Sequence, residues 1–486
     1  MMNPNPFLAL MIITLFLFSG NVVEGIIGIN WGRMTSQRLI PSTVVDLFLQ
    51  NRITNVKVSS SSVNVMQAFS GSGIGLTISI PNEDLHEYIS TKIAQEWVQK
   101  YVTRFLEENV DIKYVHIGTE PLSPTFWNVT YDNAVDVLRF VQIALNEAGY
   151  GNKIKATLTH FTDILKPNHS KPSQAEFRDD IKKKMIEQLE ILKENNSPAV
   201  IDMIPVHFVN VNNVDLEFAF VDGNSTYFVV DDNGLKYTNV FDFMYDSVLW
   251  AMKKAGAPDL KLVVAGIGWP TDGYPNANIA NAERFWKGLL PKVASNKGTP
   301  LRPGAPIDLN IQNLCDENKF RTKYGAFQRH WGIYRHDGKP KYKIDISGQG
   351  RDIYPTTARG VTYMPKRWCI FNGDISNKPK VKQAIETACE VGDCTSLMPG
   401  GSCSGLDFNE QVSYAFNRFF QAIAQKYDDD ACQFEGLGKI VTDNPSTGTC
   451  TFPVEILAAE VADRGSSITA INAETKLHSL GQYKSS

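Results

Sequence analysis

Three stretches of the sequence end an apolar run and open into a polar loop. In an enzyme built on parallel strands, that is where reactive groups belong. HIGTEP (116–121) delivers Glu120, LNIQNLCDEN (309–318) delivers Asp316 and Glu317, and VVAGIGWPTDG (263–273) delivers Gly266. Two carboxyl groups facing one bond can divide the work, one lending a proton while the other attacks or activates water. Glu120 and Glu317 have the right type for such a pair. Gly266 occupies an equivalent strand exit and offers no side chain. Cys315 lies beside the acidic pair but has no His nearby in sequence to activate it, so it reads as a buried, inert thiol. The chain shows no metal-ligand spacing and no Gly-rich phosphate loop after the first strand, so neither metal, cofactor nor nucleotide is expected.

The elements that must hold these groups alternate along the first two thirds of the chain. Strands are expected at IIGIN (26–30), NVKVS (55–59), IGLTISI (74–80), IKYVHIG (112–118), KIKATL (153–158), VIDMIPV (200–206), LKLVVAGIG (260–268) and IDLNIQ (307–312). Between them, AQEWVQKYVTRFLEEN, YDNAVDVLRFVQIALNEAG and DDIKKKMIEQLEILKENN repeat apolar residues at three- and four-residue spacing, the period of a helix. Eight strands alternating with helices over residues 26–345 predict an α/β chain folded as a (β/α)8 TIM barrel, with a doubly wound open sheet as the alternative. A Gly/Pro-punctuated linker spans 346–367. A small, mostly helical module follows over 368–452, and a polar tail runs over 453–486.

Several features point to a secretory route. FLALMIITLFLF (7–18) is too short to span a bilayer and is followed by small residues suited to cleavage, so residues 1–25 read as a signal peptide. Asn128, Asn168, Asn195 and Asn224 open Asn-x-Ser/Thr sequons. Six of the seven cysteines (Cys369, Cys389, Cys394, Cys403, Cys432, Cys450) crowd the module. An even set in a secreted chain predicts three disulfides, with connectivity open. A zinc site, the competing reading, would favour paired C-x2-C knuckles that are absent. The net charge of −4 and the lack of a basic run argue against a nucleic-acid partner. The tail lacks the hydrophobic end of a lipid-anchor signal, so no membrane anchor is evident.

The wording around the strand exits adds a resemblance. IGTEP, GIGWPTDG and RHWGIYRHDGKPKY (329–342) resemble segments of the plant endo-β-1,3-glucanases, glycoside hydrolase family 17, and the similarity covers essentially the whole barrel region. The cysteine-rich region, from WCIFN through ACEVGDC and SYAFNRFFQ to DNPSTGTC, is similar to the callose-binding module of carbohydrate-binding family 43. The resemblance implies an extracellular, cell-wall setting and a β-1,3-glucan partner. It also implies a retaining mechanism with two carboxyl groups about 5–5.5 Å apart. Glu120 matches the acid/base. The attacking carboxylate falls on Gly266 and is missing.

Other positions depart from the family in the same direction. Thr119 stands where an Asn is usual, Ser60 to Ser62 replace acidic cleft residues, and Ile204 and Val206 replace aromatic platforms. Glu317 matches a supporting cleft carboxylate, and Trp269 is expected to line the cleft with Thr119. Without a like-charged neighbour at residue 266, the Glu120 carboxyl is expected to fall towards an ordinary pKa. Asp272, in the loop after Trp269-Pro270, and Glu317, on a different strand, are too displaced to take over the attack, which needs an oxygen within roughly 3–3.5 Å of the anomeric carbon. In the module, Trp368, Tyr414 and Phe416 are candidates for stacking on a glucan ring. The alternative is that Phe416, Phe419 and Phe420 form the face of a core helix.

Overall fold

Parallel strands covered by helices on their outer side are buried on both faces and are rich in Val, Ile and Leu. A computed structural model of the 486-residue chain describes residues 25–59, 61–125, 131–425 and 428–457. Its strands are β1 (Ile27–Trp31), β2 (Asn55–Val58), β3 (Gly75–Ile80), β4 (Asp111–Ile117), β5 (Lys155–Thr157), β6 (Thr159–Phe161), β7 (Ala199–Met203), β8 (Leu262–Ile267) and β9 (Asp308–Ile311). β1 pairs with both β2 and β9, so the parallel order closes on itself. The remaining edges, β5 and β6, are one stave interrupted at Leu158: β5 pairs with β4, and β6 with β7. The nine segments therefore make the eight staves of a TIM barrel. The open doubly wound sheet is excluded.

Helices pack around this wall, among them Ala134–Glu147, Lys182–Glu194, Val240–Lys254 and Ile279–Ala294. Several begin with a side-chain cap, as where Asn239 Oδ1 accepts from the Asp242 N–H at 2.9 Å. The expected sixth strand stops early. Pro205 opens a helix, Pro205–Asn212, as its fixed φ favours at a first turn. The helix expected over AQEWVQKYVTRFLEEN is present but carries a π turn, Gln99–Thr103, at its centre.

The module packs β10 (Trp368–Phe371) antiparallel to β11 (Gly438–Val441), against helices Lys378–Val391 and Phe408–Ala422. All six of its cysteines pair, as Cys369–Cys432, Cys389–Cys394 and Cys403–Cys450. Cys315 is a buried free thiol whose pKa burial pushes up, so it is no nucleophile.

The linker and the start of the tail lie along the barrel rather than looping away. Thr356 N–H donates to Asn51 Oδ1 at 2.7 Å, and Leu457 N–H to Thr362 O at 2.8 Å. Glu455, placed in the tail by sequence, is 1% exposed. The expected signal peptide up to Glu24, the Asn128 sequon and the tail beyond Leu457 lie outside the described residues.

Candidate active site at the barrel mouth

Glu120 stands just past the end of β4 on backbone that few non-glycine residues adopt, with φ 51°. Its N–H donates to Thr159 O on β6 at 3.1 Å, tying two staves together at this point. Thr119 is clasped by Asn82, which receives its N–H and donates to its carbonyl, both at 2.8 Å. These contacts fix where the Glu120 side chain emerges, 7% exposed, inside the mouth.

The group facing it was not read from the sequence. β7 and β8 pair so that Asp202 lies opposite Gly266, after a bulge that re-aims the backbone between Val264 and Gly266. A Cβ placed on Gly266 would stand 2.9 Å from Asp202 Oδ1, 3.1 Å from Gln312 Oε1 and 3.2 Å from Asn30 Nδ2. The space beside Gly266 is thus filled by polar side chains from three neighbouring staves. Lys57 reaches in from β2, donating to Ala265 O at 3.3 Å and lying 3.9 Å from Asp202 Oδ1.

Burial lifts the Glu120 carboxyl well above the usual carboxylate range, and the negative charges of Asp202 and Asp163 lift it further. Burial raises Asp202 as well, but Lys57 and the hydrogen bond from Glu120 pull it back. The Glu120 and Asp202 carboxyl groups lie within reach of one another, and Glu120 is the one pushed further towards its protonated form. This corrects the expectation that Glu120 loses its like-charged neighbour along with the residue-266 carboxylate, because Asp202 supplies one.

The other acidic candidates are spoken for. Glu317 is 5% exposed, accepting from Met34 N–H at 2.9 Å and Asn313 Nδ2 at 2.6 Å. Its seat depends on a glycine, since a Cβ on Gly32 would come within 2.1 Å of the Glu317 carboxylate. Burial pushes its pKa up to about 7. Asp272 accepts from both the N–H and the Oγ of Ser402 in the module, each at 2.6 Å. Asp316 accepts from Lys341 Nζ at 2.7 Å.

Trp269, expected to line the cleft, is 0% exposed. Its indole N–H donates to Asn276 O at 3.0 Å, and its ring lies against Phe220 and Phe285 in the wall. Ile204 and Val206 are buried too. The aromatic surface at the mouth comes instead from His207, Tyr274 and Tyr324, all half-buried. His207 lies 4.5 Å from the Tyr324 ring and 6.2 Å from that of Tyr274. Tyr324 is close enough for Glu120 and Asp163 to push its hydroxyl pKa up, after burial.

The module candidates are corrected as well. Trp368 and Tyr414 are buried, Phe416 is fully so, and all three hold the module together. Trp368 Nε1 donates to Phe452 O at 3.0 Å, the Tyr414 ring meets Phe452 edge-on, and Phe416 stacks on Phe434 at 3.8 Å. None presents a face to a ligand. Tyr414 and Phe416 lie on the helix Phe408–Ala422, whose apolar spacing is the core pattern of a small stapled domain.

Comparison with known proteins agrees with this architecture. Residues 27–346 match the model of Glycosyl hydrolases family 17, and residues 367–439 match the X8 domain. Over 447 residues the chain is 40% identical to glucan endo-1,3-beta-glucosidase 8 of Arabidopsis thaliana, covering 91% of this chain and 92% of that one. It is 37% identical over 459 residues to glucan endo-1,3-beta-glucosidase 5 of the same plant, covering 93% and 92%. Among solved structures, it resembles CJP38, a beta-1,3-glucanase and pollen allergen of Cryptomeria japonica. That match has a TM-score of 0.62 at 32% identity over 66% of this chain and 99% of that one. The chain belongs to glycosyl hydrolase family 17 and carries a C-terminal X8 domain.

Proposed function

We propose that this is a secreted, cell-wall protein that binds β-1,3-glucan such as callose and hydrolyses it weakly or not at all. The observation that carries the reading is the state of the carboxyl pair. A retaining hydrolase needs its acid and its attacking carboxylate about 5–5.5 Å apart, with the sugar between them. Here residue 266 has no side chain, and the carboxylate beside it, Asp202, raises the pKa of the acid Glu120 after burial does. Binding asks less of the site than cleavage, which requires contacts that strengthen in the transition state. The half-buried rings of His207, Tyr274 and Tyr324 offer stacking surface at the mouth, and the X8 domain supports a glucan partner.

The expected signal peptide and the three disulfides support secretion. Asn168 and Asn224 are exposed and suited to glycosylation. The Asn195 side chain donates to Ile191 O at 2.8 Å and is less available.

Two rival readings stand beside this one. In the first, the chain is a working endo-glucanase drawing on another carboxylate, and Asp202 is the observation in its favour. In the second, it is a structural wall protein that binds no glucan. One experiment separates all three: incubation of the purified protein with soluble and insoluble β-1,3-glucan, following reducing-end release and retention. The proposal expects retention with little release. Release at rates typical of working glucanases supports the first rival, and absence of retention the second.

A further inference from the structure

Loss of the residue-266 side chain is one change from a hydrolytic site, and the pairing across β7 and β8 exposes another. We propose that Asp202 is a second lock on the cleft: its carboxylate lies against the Glu120 carboxyl and crowds Gly266. Restoring an attacking carboxylate at residue 266 then restores hydrolysis only when Asp202 is neutralised too. The proposal rests on the reading that the parent chain does not hydrolyse glucan.

Three observations carry it. First, Asp202 and Gly266 are register partners on adjacent staves, so their side chains compete for one volume. A Cβ at residue 266 falls 2.9 Å from Asp202 Oδ1, closer than carbon and oxygen normally approach, so a larger side chain enters only if the Asp202 side chain swings aside, which the attraction of Lys57 for its charge opposes. Second, Asp202 Oδ1 is buried without a hydrogen-bond donor, and Lys57 at 3.9 Å is the cation facing it. A third carboxylate introduced beside Glu120 and Asp202 would share that cation, with Asp163 adding further negative charge. It would be held protonated and unable to attack. Third, Glu120 is fixed by its left-handed backbone and its bond to Thr159, so its side chain cannot easily re-aim away from Asp202.

The chemistry needs both groups free. The acid must pass its proton to the glycosidic oxygen as the C1–O bond breaks and a carboxylate oxygen bonds to C1. Water then attacks C1, releasing the carboxylate and returning a proton to the acid. An Asp202 carboxylate against the Glu120 carboxyl competes with the glycosidic oxygen for that proton. Asn at residue 202 keeps the shape, removes the charge, and leaves no anion to capture the proton.

The test uses four full-length proteins: the parent, Gly266→Glu, Asp202→Asn and the double variant. Thermal unfolding confirms that each folds, and Asp202→Ser serves if the Asn variant does not. Reducing-end release from a soluble β-1,3-glucan should exceed that of Gly266→Glu by about a hundredfold in the double variant, the scale of regaining a general acid. In parallel, 13C-carboxyl NMR of glutamate-labelled parent and Asp202→Asn protein, assigned with Glu120→Gln, should show the Glu120 titration moving down when Asp202 is neutralised. A double variant no more active than Gly266→Glu, or a Glu120 titration that does not move, overturns the proposal. Rapid turnover by the parent would instead overturn the reading on which it rests.

Discussion

At the barrel mouth, Glu120 is buried beside the partly covered Asp202 and Asp163; Lys57 lies 3.9 Å from Asp202 and Arg178 4.0 Å from Asp163, yet burial keeps all three carboxyl pKa values raised. At the seam between barrel and module, Asp393 is equally buried, yet it accepts from Arg329 at 2.9 Å and lies 3.6 Å from Arg418. Burial raises the Asp393 carboxyl, but Arg418, His330 and Arg329 overrule it and hold the pKa at about 2. The contrast separates burial from compensation. A buried carboxylate met at close range by guanidinium groups is part of the scaffold, whereas the Glu120–Asp202 pair, with one lysine at 3.9 Å, marks a site whose charges are kept for something other than stability.

The sharpest way to break the comparison is at the seam. Asp393→Ala removes the carboxylate that Arg329 and the buried Arg418 share, leaving Arg418 only Glu455 at 3.8 Å, and should cost about 3 kcal/mol in denaturant unfolding, with the module released first. The same substitution at Asp202 should cost far less, because it removes an unfavourable neighbour.

Acid gives the next largest effect. Asp393 has its pKa lowered by folding, so its contribution is present above 3.8 and lost as pH falls through about 2. It amounts to about 2 kcal/mol, and unfolding midpoints between pH 4 and pH 2 should show a loss that Asp393→Asn lacks.

Ser402→Ala should be milder. It removes one of the two hydrogen bonds to Asp272 that join module to barrel, and should cost about 1 kcal/mol in the same unfolding assay.

The smallest effect has the opposite sign. Glu120 binds its proton more tightly folded than unfolded, so the mouth loses stability as pH rises from 4.5 through the raised folded value. Glu120→Gln should flatten that slope, and a variant as pH-sensitive as the parent would show that the proton is not held at Glu120.

The barrel was legible in the sequence because each stave announces itself locally, as an apolar run between polar helices. Glu120 and Gly266 were legible because each closes such a run. Asp202 was passed over, although VIDMIP places a carboxylate inside an otherwise apolar strand end, a costly position that needs a reason. Its meaning depends on Gly266 lying opposite, 64 residues away in a closed sheet, and no local pattern carries that register. For the same reason Glu120 was expected to titrate normally. Trp269 and Tyr414 fail differently. Aromatic residues next to reactive motifs look like sugar platforms, but in these folds they are wall and core.

The central claim is that this cleft lacks a working nucleophile for the anomeric carbon. Incubating the intact protein with a 2-deoxy-2-fluoro β-1,3-linked disaccharide carrying a dinitrophenyl leaving group, followed by whole-protein mass measurement, addresses it directly, because retaining enzymes accumulate the glycosylated form. The account predicts an unchanged mass. A stable adduct mapped to Asp202 would contradict it.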